Sequence, residues 1–125
     1  MSVKNEVLSD GMDSIVIRKY IAGIIGGKVL DVTGIAEDVI KAGHVIIRDT
    51  QNDVYKPMPV EDGAYASLPS NHEYVGVLVS TILTEEPLAA IMYSGEVNDE
   101  AVPYSVASIA AAMKTAIPTL VFKHD

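Results

Sequence analysis

The apolar residues of the first third of the chain fall in short runs that favour β-strands. The first run starts at Ser14, reads SIVIRKYIAGII and stops at Gly26 and Gly27. β-branched residues dominate this run, and the next stretch, KVLDVTG, alternates apolar and polar positions. The pattern predicts two strands joined by a glycine turn.

Three further runs in the middle of the chain have the same strand character. They read HVIIRD, VYKPMPV and YVGVLVSTIL, and Pro57 and Pro59 restrict the second one to a sheet edge or to an early end. Residues 61–73, EDGAYASLPSNHE, are rich in Gly, Pro, Ser and Asn and predict a loop. LAAIMYSGEV follows a TEEP turn, and we expect it to pair with YVGVLVSTIL as a hairpin.

One segment of the sequence favours a helix. Residues 103–116, PYSVASIAAAMKTA, are rich in Ala and place Val106, Ile109 and Met113 on one helical face. Pro118 cannot continue a helix interior, and TLVF predicts a final strand. The pattern therefore predicts a mainly β (α+β) fold, a small β-rich sandwich of about seven short strands with one helix in its C-terminal half.

Residues 1–13 lack a sustained hydrophobic period and predict a flexible N-terminal arm before a single domain, residues 14–125.

Composition and charge narrow the classes of partner that the protein can bind. The formal charge of -8 offers no basic face to a phosphate backbone or to an anionic leaflet, so we expect neither direct nucleic-acid binding nor membrane binding. The absence of Cys removes disulfides and thiolate metal sites and fits a reducing compartment.

The stretch GEVNDEAVPY, residues 95–104, is the strongest candidate for chemistry. It carries Glu96, Asp99 and Glu100 within five residues, and clustered carboxylates can serve as an acid–base pair or hold a divalent cation. The ligand spacing of a calcium loop is absent, and Asn98 or Asp99 could instead cap a helix that begins at Pro103. We favour the capping interpretation because caps commonly explain such clusters.

The remaining candidates give little support to catalysis. His44, His72 and His124 form no paired-ligand motif, and Ser94 lacks the G-x-S-x-G pattern of a nucleophile elbow. The sequence thus predicts no metal, no cofactor and no enzymatic activity.

Four motifs in sequence order resemble the phage head decoration proteins, the family of the lambda capsid decoration protein. They are an AGHVI strand start, a Y-x-P strand, a VGVL strand and a GEVNDEAVP transition, and the resemblance covers residues 40–122. Its structural positions in this chain are Gly43, Tyr55, Pro57, Gly76, Gly95, Glu96, Asn98 and Pro103.

The resemblance implies a structural virion protein with a small β-rich, tulip-like domain. Proteins of this family form homotrimers on the outside of the mature head, at three-fold and quasi-three-fold positions, and stabilise the shell without any catalytic residue. The implied partners are the major capsid protein, other copies of the chain and, in one variant, a head fibre protein. The implied location is the outer capsid surface of a virion assembled in a bacterial cytoplasm.

The resemblance also suggests where the capsid is bound. In such proteins the N-terminal arm commonly adds a strand to a sheet of the capsid protein, a mode in which backbone hydrogen bonds supply affinity. The residues expected to make this contact are Val3, Val7, Leu8, Ile15, Val16 and Ile17. Two alternatives stay open: the capsid-anchoring base of a head fibre, and a small β-barrel enzyme or ligand-binding domain that uses the acids of residues 96–100 with His72.

Overall fold

The computed structural model describes residues 13–124, and its secondary structure is mainly β. Two helices flank the strands: α1 (Asp13–Val16) and α2 (Ala110–Ala116). The strands are β1 (Ile17–Gly23), β2 (Lys28–Val29), β3 (Val39–Ile40), β4 (Val45–Asp49), β5 (Val54–Pro57), β6 (Val60–Glu61), β7 (Ala64–Tyr65), β8 (His72–Leu78), β9 (Ile82–Leu83), β10 (Leu88–Ala89), β11 (Ile91–Asn98) and β12 (Leu120–Lys123). The predicted fold class, mainly β with a helix in the C-terminal half, is confirmed.

Six strands form the main sheet. Its order is β1-β11-β8-β4-β5, and β12 pairs in parallel with β11. β11 pairs with β8 through residues 91–92 and with β12 through residues 95–98. The predicted pairing of YVGVLVSTIL with LAAIMYSGEV is therefore confirmed, but the two do not form a simple hairpin. The end of the first run forms β9, which pairs with β3, and the start of the second forms β10, which pairs with β2. β5 lies at one edge, as its terminal Pro57 predicts, because proline cannot donate to a second neighbour.

The central strand β4 is buried on both faces, which explains its continuous apolar run from Val45 to Ile47. Val45 and Ile47 point into one hydrophobic cluster, which includes Met113 of α2. Ile46 points into a second cluster on the other face, which includes Ile40 of β3 and residues of the β2–β10 ribbon. The three consecutive residues of β4 are all fully buried.

The predicted helix over residues 103–116 is wrong in its first half. The helix begins only at Ala110, while residues 103–109 form turns. The hydroxyl of Ser105 accepts a hydrogen bond from the amide of Ala107 at 3.2 Å, and Ser105 also bridges to Ala64. Such side-chain bonds offer the backbone an alternative to the helix.

The predicted strands of the first third of the chain are shorter than expected. Residues 13–16 are helical, so the first strand starts at Ile17 rather than at Ser14. The KVLDVTG strand ends at Val29, since the Asp31 carboxylate accepts from the amide of Thr33 at 3.0 Å and closes an Asx turn.

The predicted loop of residues 61–73 contains a hairpin at its start. β6 and β7 pair across Asp62 and Gly63, which both have a positive φ, 53° and 78°. These angles fit a two-residue type I′ turn, for which Asp-Gly is a preferred sequence. The dipeptide was present in the sequence and predicts this hairpin.

Candidate functional site

The six residues expected to contact a capsid fall into two groups. Three of them lie outside the described residues, namely Val3, Val7 and Leu8. Ile15 in α1 is half exposed, whereas Val16 is buried in the core and Ile17 packs against it from β1. Of the three described residues of this set, only Ile15 has a largely exposed side chain.

β1 itself forms the second edge of the main sheet. Its neighbour is β11, and on its other side it pairs with no strand of residues 13–124. The four residues from Arg18 to Ile21 are exposed, and the pairing with β11 shifts register three times. Bulges of this kind twist an edge and limit continuous pairing with a foreign strand.

The glycines of the resemblance motifs lie at close approaches between elements. Gly43 has φ 89°, and a Cβ there would run into Val16 of α1. A Cβ on Gly76 would meet the carbonyl of Met92, and one on Gly95, with φ 149°, would meet the carbonyl of Lys19. The motif glycines therefore act in packing, by allowing β8, β11 and α1 to approach one another.

The other motif residues are also structural in their contacts. Tyr55 packs partly buried against the second core cluster, and the Nζ of Lys28 lies 5.2 Å from its ring centroid. Pro57 is buried at the end of β5, opposite Ile46 of β4. Pro103 is partly buried and lines the cleft described below.

The acids of GEVNDEAVPY do not cap a helix, so that prediction is wrong. α2 begins at Ala110, and its N-cap position is Ile109, which makes no side-chain capping bond. The Asn98 side-chain oxygen instead accepts from the amide of Glu100 at 2.9 Å and closes an Asx turn at the end of β11.

The two following acids face the end of the chain rather than each other. Asp99 Oδ1 lies 2.9 Å from Nδ1 of His124, and Glu100 Oε1 lies 4.0 Å from its Nε2. Glu96 lies on β11, opposite Lys19 of β1. Among residues 13–124, no group of three or more His, Cys, Asp or Glu side chains is arranged to hold a metal ion.

His72 lies apart from these contacts at the start of β8. Its Nδ1 is 2.8 Å from the carbonyl oxygen of Ser70, which fixes Nδ1 as the protonated nitrogen because a carbonyl only accepts. Its Nε2 is buried without a hydrogen-bond partner in the described part of the chain. The structure thus gives His72 and the carboxylates separate surroundings.

The described structure contains a cleft with a volume of about 590 Å³. Its walls come from residues 31–41, from the β5–β6 connection and from Pro103 and Tyr104. His44 lies in its wall, with its ring edge-on to Tyr65 at 5.4 Å and to Tyr104 at 5.7 Å between centroids. No local pattern in the sequence indicates this cluster, because its three rings come from segments far apart in the chain.

Burial determines the ionisation of two groups in this cluster. Burial lowers the pKa of His44, and the hydrogen bond from its Nε2 to the carbonyl of Met58, at 2.9 Å, opposes this only in part. Burial also raises the pKa of Tyr65 well above its usual value, and its hydroxyl accepts from the amide of Val45 at 3.0 Å. Both side chains are therefore neutral near pH 7 and serve as hydrogen-bonded packing groups.

The largest exposed apolar side chains of the described residues concentrate near β1 and the turn that follows it. Tyr20 and Ile21 are more than half exposed, and Ile25 is 98% exposed. Val29 of β2 and Leu88 of β10 are also more than half exposed. Such a concentration on a small protein commonly marks an interaction surface.

Comparisons with known proteins add no assignment, because no family model, no curated protein and no solved structure matches this chain. Within residues 13–124, no helix has the length and apolar character needed to cross a bilayer.

Proposed function

We propose that this protein is a capsid decoration protein, which binds the outside of the mature head of a tailed phage and stabilises the shell as a trimer. The surface of β1 carries this proposal. The bulged edge of β1 limits strand pairing, but Tyr20 and Ile21 are exposed there, and β1 begins directly after α1, which follows the N-terminal residues.

The placement of the motif residues supports the same proposal. Gly43, Gly76 and Gly95 occupy close approaches that a larger residue would disturb, so the motifs describe a fold rather than a catalytic centre. A resemblance carried by such residues supports kinship of fold.

The acidic cluster gives less support to an enzyme or metal-binding domain. Glu96 pairs in register with Lys19 of the neighbouring strand, while the carboxylates of Asp99 and Glu100 lie near opposite ring nitrogens of His124, so each acid has a structural neighbour. A carboxylate pair that shares a substrate must converge on one position, within hydrogen-bond reach of the same group.

The mode of attachment follows from the geometry of β1. Val16 and Ile17 hold the start of β1 in the core, so we assign the primary capsid contact to the N-terminal residues together with exposed Ile15 and Ile21. Each such contact is small, and three copies on a lattice of matching symmetry bind by effective concentration.

The decisive experiment is co-sedimentation with expanded heads of the phage that encodes the chain. We expect the intact protein to sediment with the heads and to raise the temperature at which they disrupt. A variant that lacks residues 1–13, and the variant Ile21→Glu, should each bind at least about tenfold more weakly, since burying one such side chain is worth about 1.5–3 kcal/mol.

Val121→Glu is the matched control, because Val121 is an exposed aliphatic residue of β12, which β11 separates from β1. It should bind like the unaltered protein. Failure of the intact chain to sediment with heads would overturn the proposal. Full binding by the variant that lacks residues 1–13 would show that these residues do not contribute to capsid binding. Co-purification of a second, fibre-like chain on its outer face would identify the base of a head fibre instead.

A further inference from the structure

The cleft of about 590 Å³ has two walls that backbone hydrogen bonds hold in place. Residues 31–41 form one wall, where the amide of Asp31 donates to the carbonyl of Tyr55 at 2.8 Å and β3 pairs with β9. The second wall is the β5–β6 connection, where the amide of Met58 donates to the carbonyl of Val45 at 2.8 Å. The cleft is therefore part of the folded structure, as small-molecule sites usually are.

The lining of the cleft is mostly apolar and carries no formal net charge. Its charged residues are two acids and two bases, Asp31, Glu37, Lys41 and Lys56. The Asp31 carboxylate already accepts from the hydroxyl of Thr33 at 2.6 Å. Aliphatic side chains and prolines form much of the remaining surface, among them Ile35, Val39, Ile40, Met58, Val60 and Pro103. Such a surface suits an uncharged ligand, and the volume lies within the roughly 300–1,000 Å³ of small-molecule sites.

His44 contributes a hydrogen-bond acceptor to this lining. Because its Nε2 donates to the carbonyl of Met58, Nδ1 of the neutral ring carries a lone pair, and it makes no hydrogen bond within residues 13–124. Among the same residues, the only side-chain N or O atom that is both fully enclosed and unpaired is Nε2 of His72. Nδ1 of His44 must therefore be reached from solvent. His44 is only 7% exposed and lines the cleft, so the cleft is the route to this atom.

The acceptor is held in one orientation. The ring of His44 packs edge-on against Tyr65 and Tyr104, and its Nε2 is bound to Met58, so the ring cannot turn without losing these contacts. Burial lowers the pKa of His44, which keeps Nδ1 unprotonated near pH 7. A fixed acceptor in an apolar cleft selects ligands that place a donor at that point.

We propose that the cleft binds a small neutral molecule with an apolar ring and a hydroxyl group, which donates its hydrogen bond to Nδ1 of His44. A ligand without a donor would displace water from Nδ1 and leave that atom unpaired, which costs binding free energy. A carboxylate has no proton to donate, and a charged ligand of either sign would meet its own sign among the four charged residues of the lining. The inference uses neither β1 nor the N-terminal residues, so it is independent of the proposed attachment to a capsid.

A matched pair of probes tests the requirement for a hydroxyl. The two probes are 2-naphthol and 2-methoxynaphthalene, which share the apolar ring system but differ in the hydroxyl proton. In titrations followed by amide NMR spectra, 2-naphthol should cause saturable shifts at residues of the lining, with a Kd between about 10 µM and 1 mM. The methoxy compound should bind at least about threefold more weakly, since it lacks one hydrogen bond.

The ring nitrogens of the histidines report the hydrogen bond directly. In a two-bond proton–nitrogen spectrum, 2-naphthol should shift Nδ1 of His44, and 2-methoxynaphthalene should shift it much less. His72 and His124 are internal controls, because neither lines the cleft. Their ring nitrogens should keep their positions with both probes.

Two tryptophan variants test the location. Ala36 is exposed and lines the cleft, whereas Ala111 is exposed on α2 and does not. Ala36→Trp should weaken the binding of 2-naphthol at least about tenfold, because the indole occupies part of the space, and Ala111→Trp should bind like the unaltered protein.

Three results would each overturn the proposal: no saturable shifts at the lining with 2-naphthol, equal affinity for the two probes, or full binding by Ala36→Trp. The comparison of the probes uses the unaltered chain and so does not depend on the folding of either variant. None of these measurements involves phage heads, so a failure here is distinct from a failure to bind a capsid.

Discussion

At the scale of single residues, the imidazole of His44 is held neutral by its surroundings. Its Nε2 donates to the carbonyl of Met58, and its ring packs edge-on against Tyr65 and Tyr104. Burial lowers its pKa below the ordinary value of 6.5, and the nearby carboxylate of Glu37 opposes this weakly. Below about pH 6.5 the unfolded chain therefore binds more protons at this residue than the folded protein does.

We expect the folded protein to lose stability at His44 as the pH falls below 6.5. The variant His44→Gln retains a side-chain N–H for the Met58 carbonyl but does not titrate. Between pH 7.5 and 5.5 its free energy of unfolding should fall by about 1 kcal/mol less than that of the unaltered protein, since one pKa unit corresponds to about 1.4 kcal/mol.

Urea unfolding at the two pH values measures this difference. His124→Gln serves as the control, because His124 is exposed and contacts Asp99 at the surface. Because His124→Gln leaves His44 unchanged, its free energy of unfolding should still fall between pH 7.5 and 5.5 by the amount attributed to His44. Equal losses in His44→Gln and the unaltered protein would show that His44 does not contribute.

At the scale of elements, α2 is a short helix whose position depends on one side chain. Met113 is its one buried residue, and the flanking positions are exposed. Seven residues are too few for an isolated helix to be stable in water, so packing must supply its stability.

Met113→Ala should lower the free energy of unfolding by about 2–5 kcal/mol, through lost burial and the cavity left behind. Lys114→Ala, at the next and exposed position, should change it by no more than about 0.5 kcal/mol. Urea denaturation of the two variants measures both effects. A cost for Met113→Ala as small as that for Lys114→Ala would show that α2 is not held by this contact.

The central strand could be predicted from the sequence because it is buried on both faces. β4 carries an uninterrupted apolar run from Val45 to Ile47, and burial of alternate residues in two separate clusters requires that pattern. The helix boundary could not be predicted, because Ser105 and Tyr104 hold residues 103–109 in turns through contacts with distant segments. Local propensity is a weak signal when tertiary contacts of this kind oppose it.

The candidate surfaces depend even more on distant contacts. The exposed apolar surface of Ile25, Val29 and Leu88 exists because β2 pairs with β10, which brings Val29 next to Leu88 across 59 positions of sequence. Its one local signal was Ile25, an aliphatic residue inside a glycine turn, where polar residues are usual. The acids of residues 96–100 showed a strong local pattern, yet their orientation depends on where His124 lies.

At the scale of the whole molecule, the two hydrophobic clusters share one sheet. Ile46 and Ile47 are adjacent in β4, both fully buried, and each belongs to a different cluster. Loss of packing on one face of β4 therefore disturbs the strand on which the cluster of the other face also packs. This arrangement predicts that residues 14–125 unfold as one cooperative unit.

Ile46→Ala and Ile47→Ala test this directly, since each opens a cavity on one face only. Each should lower the free energy of unfolding by about 2–5 kcal/mol, and each should shift a single transition. The transition seen by tyrosine fluorescence should coincide with the one seen by far-ultraviolet circular dichroism in both variants. Val121→Ala, at an exposed position, should leave the midpoint nearly unchanged. Two separate transitions, one moved by Ile46→Ala and the other by Ile47→Ala, would mean that the clusters are independent units and that the sheet between them does not couple their stability.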